Sequence, residues 1–173
     1  MDIVVGYDPT TLREVADLRA LGDRLAEIGE QRSSTALNEK VVLLRLAGRQ
    51  DEAWDVANAA VRTARFGGDR EQLVLARIRR AQVQQWMGRL DVAIVELSDC
   101  VTEANAHSWE AAEAMALHAR GTAHFERREY PAALADLRAA QGICLRLQSS
   151  PEELESLKFA ITVTESVIDG DRV

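Results

Sequence analysis

Small and apolar residues recur along this chain at two spacings, three or four residues within a segment and forty residues between segments. Ala36, Ala76 and Ala116 form one column at the forty-residue offset, Val41, Ala81 and Gly121 a second, and Leu43, Val83 and Ala123 a third. Further along come Ala53, Ala93 and Ala133, then Ala57, Leu97 and Leu137, then Ala60, Cys100 and Ala140. These last three columns are four and three positions apart, which is one face of an α-helix. Residues down each column stay small or apolar, as required where two helices approach closely.

The periodic segments break at regular places. Gly48-Arg49-Gln50-Asp51-Glu52-Ala53, Gly88-Arg89-Leu90-Asp91-Val92-Ala93 and the degenerate Arg128-Glu129-Tyr130-Pro131-Ala132-Ala133 each read as a tight turn between helices. Glycine supplies the left-handed residue that ends one helix. Asp51, Asp91 or Pro131 then opens the next, as acidic residues and proline do at a helix start. Polar breaks follow at Gly67-Gly68-Asp69, Asn105 to Ser108 and Gln148 to Pro151, with an earlier one at Gly29-Glu30-Gln31.

The pattern predicts eight helices, at about 10–28, 33–47, 51–66, 70–87, 91–106, 109–127, 131–147 and 151–168. They group as one domain over 1–173: an N-terminal capping helix within 10–32, helix pairs at 33–69, 70–108 and 109–150, and a C-terminal capping helix at 151–168. Leu154, Leu157, Ile161, Thr164 and Ile168 give that last helix one apolar stripe. A terminal helix of this kind covers the open end of an array, and the array is expected to end there.

The pattern resembles the tetratricopeptide repeat. The family's small position in the first helix of each pair matches Val41, Ala81 and Gly121, its turn glycine matches Gly48, Gly88 and Arg128, and its second-helix alanine matches Ala53, Ala93 and Ala133. The resemblance spans about residues 33–147. The period is longer than the family's usual length of about 34 residues, the closing proline is absent, and the first-helix aromatics are mostly replaced. Repeats of the longer kind occur in bacterial regulators and signalling scaffolds.

The resemblance implies an all-α fold, a right-handed α-α superhelix of antiparallel helix pairs that binds a protein or peptide on its concave face. The first helix of each pair lines that face in the family. By position this selects Asn38, Val42 and Arg45, then Ile78, Gln82, Gln85 and Trp86, then His118, Thr122 and Phe125. Amides mixed with apolar side chains suit an extended peptide. The family's Lys/Asn clamp for a terminal carboxylate is not reproduced. The implied setting is a sensing or assembly module of a bacterial regulatory system.

Composition narrows the partners. Apolar residues make up 47% of the chain and aromatics only 5%, so Ala, Leu and Val must build the core. A net charge of −7 offers no basic face for phosphates, so nucleic acid is not an expected partner. No apolar run is long enough to span a bilayer. The acidic N-terminus, with its short apolar stretch Ile3 to Gly6, is not a signal peptide. A cytoplasmic address is expected, with no membrane partner.

Nothing in the chain spells out catalysis or a cofactor site. There is no Gly-rich phosphate loop, no Gly-x-Ser-x-Gly turn and no His-Glu-x-x-His helix, so the chain is expected not to be an enzyme. His118 and His124 lie six apart on roughly opposite sides of one helix and should not share a metal. Cys100 and Cys144 occupy alanine columns and read as small buried residues. Trp54 shares a column with Ile94 and Leu134 and reads as core, Trp86 as a groove or helix-end residue, and Trp109 as a helix-start staple.

A basic column, Lys40, Arg80 and Arg120, recurs once per repeat. It is either a ladder for an acidic partner or a set of stems packed between helices with heads on solvent or a local carboxylate. The rival to a binding scaffold is a structural repeat protein that self-associates, as a homodimer for instance. A groove filled by the chain's own side chains, together with failure to capture a partner, would count against the scaffold.

Overall fold

The computed structural model describes residues 3–170, and the ends of the single unit expected over 1–173 lie outside the described residues. Helices are numbered in chain order: α1 (Leu18–Ile28), α2 (Ser34–Leu46), α3 (Gln50–Gly67), α4 (Arg70–Trp86), α5 (Leu90–Ala106), α6 (Glu110–Glu126), α7 (Tyr130–Arg146) and α8 (Pro151–Gly170). The fold is all-helical apart from one small hairpin, and each helix from α2 onward packs on the next. The helices α2 to α8 agree with the sequence pattern to within one or two residues.

The turns share one device. Gly48, Gly68, Gly88, Ser108, Arg128 and Gln148 all have positive φ, one every twenty residues. At five of the six, the following N–H bonds the carbonyl five residues back: Arg49 to Leu44, Arg89 to Gln84, Trp109 to Ala104, Glu129 to His124 and Ser149 to Cys144. This is the Schellman closure of a helix end. The polar breaks at Ser108 and Gln148 are therefore closed like the glycine turns at Gly48 and Gly88, while Gly68 shares only the positive φ, and the repeat is a helix–turn unit of half the sequence period.

Between helices the column residues interlock. Val41, Ala53, Ala57 and Val83 share one core cluster, and Ala81, Leu97, Cys100 and Ala116 another. Small faces large at each crossing. Gly121 is the tightest case: a Cβ there would lie 2.9 Å from Leu137 Cγ and 3.2 Å from the Ala133 carbonyl oxygen. Gly121 therefore lets α6 close on α7 around a leucine, where the first pair sets Val41 opposite Ala57. Leu157, Ala160, Ile161 and Thr164 of α8 are buried against the end of the array.

The first expected helix is corrected by the structure. Residues 10–17 are not helical; Val4–Tyr7 (β1) and Glu14–Ala16 (β2) pair as an antiparallel hairpin. The loop between them is closed by Asp8, whose Oδ1 accepts from both the N–H and the hydroxyl of Thr10, each at 2.7 Å. That local turn at Asp8-Pro9 and the β-branched residues around it favour extended chain. Asp17 then caps α1 by accepting from the N–H groups of Arg19 and Ala20, so the helix begins only at Leu18. Among the described residues, no helix is long and apolar enough to cross a membrane.

Candidate functional site

Helices α2, α4, α6 and α8 pack on one another as an inner layer, and the hairpin lies across it. Leu12, at the end of the hairpin loop, has φ of 60° and is buried in the cluster formed by α6, α7 and α8. Tyr7 stacks on Phe159 of α8, with ring centroids 5.4 Å apart. Positive φ at a leucine is strained; here it turns an apolar side chain into the core.

Two charged hairpin residues fix the rest. Arg13 clamps Glu126 with both prongs, Nε to Oε1 at 3.0 Å and Nη2 to Oε2 at 2.7 Å, and Nη2 also donates to the Gln85 carbonyl at 3.2 Å. Glu14 accepts from Arg45, Nη1 to Oε2 at 2.8 Å and Nη2 to Oε1 at 3.3 Å. Arg45 is only 2% exposed, and its Nε has no acceptor. Both guanidinium carbons lie over the Trp86 ring, 4.6 Å from its centroid for Arg45 and 5.1 Å for Arg13. Planar cations on an indole face suit a desolvated site. Gln85 donates Nε2 to Thr122 Oγ1 at 3.2 Å and to Glu126 Oε1 at 2.9 Å, tying α4 to α6 beneath the hairpin.

Desolvation pushes the Glu14 carboxyl up, but the charge and hydrogen bonds of Arg45, helped by His118 and Arg79, more than offset it and hold it below the usual carboxylate range. Burial pulls His118 below the usual imidazole range, partly opposed by the Glu14 and Glu153 charges. Arg79 is pulled down to about 10 by desolvation and the neighbouring Arg45 charge.

All seven polar or aromatic residues expected on the concave face lie beside the hairpin. Arg45, Gln85, Trp86 and Thr122 sit with Leu12, Arg13 and Glu14; Gln82 and His118 line a cavity with Val4 and Tyr7; Asn38 lines a second hollow with Ile3 and Val4. Asn38 Oδ1 is buried with no partner. Val42 borders the same hollow as Asn38, while Ile78 and Phe125 are buried in the core. Sequence reasoning missed Arg79, Glu126 and the hairpin itself. The β-branched run Ile3-Val4-Val5 before Asp8-Pro9 was the available signal.

The basic column behaves differently. Arg80 pairs with Glu96 on α5 and reaches Asn58 on α3; Arg120 pairs with Asp136 on α7, at 2.7 and 2.8 Å, and reaches Ser98 on α5 at 3.2 Å. Each arginine thus bridges the second helices of two successive pairs. Lys40 has Val56 at the equivalent place and makes no ion pair among the described residues. His124 turns away from His118 and bonds Glu129 at 2.6 Å. Burial pushes the Cys100 thiol up to about 12, and both cysteines are free and buried. Trp54 is half-buried against the first core cluster under Arg89, and Trp109 stacks on His107. Among the described residues no three His, Cys, Asp or Glu side chains come together as a metal cluster. No protein-family model and no curated protein sequence matches the chain.

Proposed function

We propose that the chain is a protein- or peptide-binding scaffold of the tetratricopeptide kind, a right-handed stack whose inner face takes an extended polypeptide, and that this face holds the chain's own N-terminal hairpin. One observation carries the reading. The inner-face residues already bond a polypeptide laid across them, through a buried Arg45–Glu14 pair and an Arg13–Glu126 clamp. No bond making is involved and no cofactor is required. A bacterial regulatory module in the cytoplasm is the setting that fits such a scaffold.

The filled groove counts against a permanently open site, and its resident occupant is the hairpin. An external partner must displace the hairpin, and its apparent affinity falls by the fraction of time the groove is open. A fluorescent peptide of residues 3–17 tests this by anisotropy. An Arg13→Ala/Glu14→Ala double variant should bind it about tenfold more tightly than the parent chain. Absence of binding to a well-folded double variant sinks the proposal.

A second reading, self-association as a structural repeat protein, is favoured by the exposed Val5, Val15 and Leu18 around the hairpin. Light scattering on the eluting protein decides it, since a monomer at every concentration excludes a homodimer.

A further inference from the structure

The hairpin is a sheet of two strands, so β1 keeps one edge without a strand neighbour among the described residues. Asp8 donates its N–H to the Arg13 carbonyl, and Gly6 pairs with Val15. Hydrogen-bonded and non-bonded pairs alternate along an antiparallel ladder. The N–H and C=O of Tyr7, which stands opposite Glu14, therefore point away from β2. Val5 is the extra residue of the bulge and has no partner residue on β2. Charges and prolines commonly protect a strand edge from pairing. Over Val4–Tyr7 there is neither, and the bulge is the one irregularity.

An open trough of about 740 Å³ separates this edge from α8. It is lined by all five residues from Ile3 to Tyr7. A hollow on a strand's face would be lined by every second residue, so the trough runs beside β1. Its opposite wall is Glu152, Glu155 and Phe159, three and four residues apart on one face of α8. Both carboxylates are exposed and make no ion pair among the described residues. No Lys, Arg or His among the described residues lines the trough.

These walls choose the occupant. The free edge suits an extended backbone, Phe159 an apolar side chain, and the two glutamates a pair of cations. A second copy of the chain pairing through its own β1 would bring another Asp8 and another Glu152–Glu155 wall, like charge against like. We infer that the β1 edge takes a basic, partly apolar extended segment of another protein as a third strand, with its cations against Glu152 and Glu155 and an apolar side chain over Phe159. Phe159 stacks on Tyr7 at the end of β1, so in an antiparallel strand the apolar residue precedes the basic ones. The edge is used with the hairpin docked, so this site goes beyond the inner-face reading and does not rest on it.

A dye-labelled peptide, Thr-Val-Thr-Lys-Thr-Lys-Thr, tests the site by anisotropy on the full chain at low ionic strength. It should bind at least about tenfold more tightly than the same peptide with Glu in place of both Lys. Glu152→Gln/Glu155→Gln should erase that preference and leave the circular-dichroism spectrum unchanged. N-methylation of one alternate set of the peptide's amides should abolish binding, since those N–H groups pair with β1. Binding retained whichever set is methylated overturns the proposal, as does equal binding of the two peptides, or no binding at millimolar concentration. A dimer of the chain that the peptide dissociates would give the edge to a second copy and overturns it too. The peptide comparisons on the parent chain need no variant, so they decide the matter even if the double variant fails to fold. Binding about tenfold tighter to the Arg13→Ala/Glu14→Ala variant would seat the peptide in the inner groove and overturn the edge site. Failure of the edge peptide leaves the groove reading standing.

Discussion

Single residues show how little freedom the repeat allows. Gly121 belongs to a column of small residues, and the column identifies its size class but not the severity of the contact. Only the structure sets Leu137 and the Ala133 carbonyl so close to an added Cβ. Gly121→Ala should therefore destabilise by up to about 2 kcal/mol, the net of about 1–3 for overpacking and about 1 regained in helix propensity. In a Leu137→Ala background the same change should become neutral or favourable, and a double-mutant cycle by urea denaturation reads the difference. Additive effects would show that the Leu137 contact is not the cause.

His118 makes a second residue-scale case, with its sign set by linkage. Its folded pKa lies below the ordinary value of 6.5, so just below that pH the unfolded chain holds a proton the folded chain lacks. Its contribution is complete above about pH 6.5 and is lost as pH falls toward the folded pKa. The melting temperature should drop between about pH 7.5 and 5.5, and His118→Gln should flatten that slope. Glu14, whose pKa is also lowered, adds its own loss only when pH falls below its free value of 4.5. An unchanged slope in the variant would exclude His118 as the group responsible.

At the scale of elements, seven of the eight helices were legible because their signals are local: apolar columns at helical spacing, glycine at the stop, acid or proline at the start. The equivalence of all the turns was less visible, since Ser108, Arg128 and Gln148 stand where glycine would be expected. An L-residue in the left-handed region costs about 1–2 kcal/mol, which the closing backbone bonds sustain. Arg128 is exposed and makes no side-chain bond among the described residues, so Arg128→Gly should stabilise by roughly 0.5–1 kcal/mol and raise the melting temperature by about 1–4 °C. A lower melting temperature would mean that Arg128 has an interaction outweighing its strain. The first helix was misread for an equally physical reason: Leu12, Val15 and Leu18 fit a helical stripe, while the Asx turn at Asp8 and the cap at Asp17 act on the backbone and take residues 10–17 out of the helix.

The whole molecule is held by contacts between distant parts of the chain, and these are what a sequence pattern carries least. The inner-face residues could be selected by position, yet nothing in their columns names Glu14 as the partner of Arg45 or Glu126 as the partner of Arg13. The docked hairpin joins α2, α4, α6 and α8, so its loss should loosen these inner helices before the outer ones. Replacing Glu14 by Gln leaves Arg45, at 2% exposure, without its counter-charge. Breaking a buried pair costs about 3–5 kcal/mol. Glu14 keeps about a third of its side-chain surface exposed, so the expected loss is smaller, roughly 2–3 kcal/mol. Amide exchange should locate it: faster exchange in residues 4–16 and along α2 and α4, with α7 least changed because its main neighbours are α6 and α8. An Arg45→Met/Glu14→Gln double variant should recover much of the stability, since an apolar side chain then fills the site without an unpaired charge. Uniform acceleration of exchange across all helices would mean instead that the hairpin and the array unfold in one step, making the hairpin part of the core rather than an occupant of the groove.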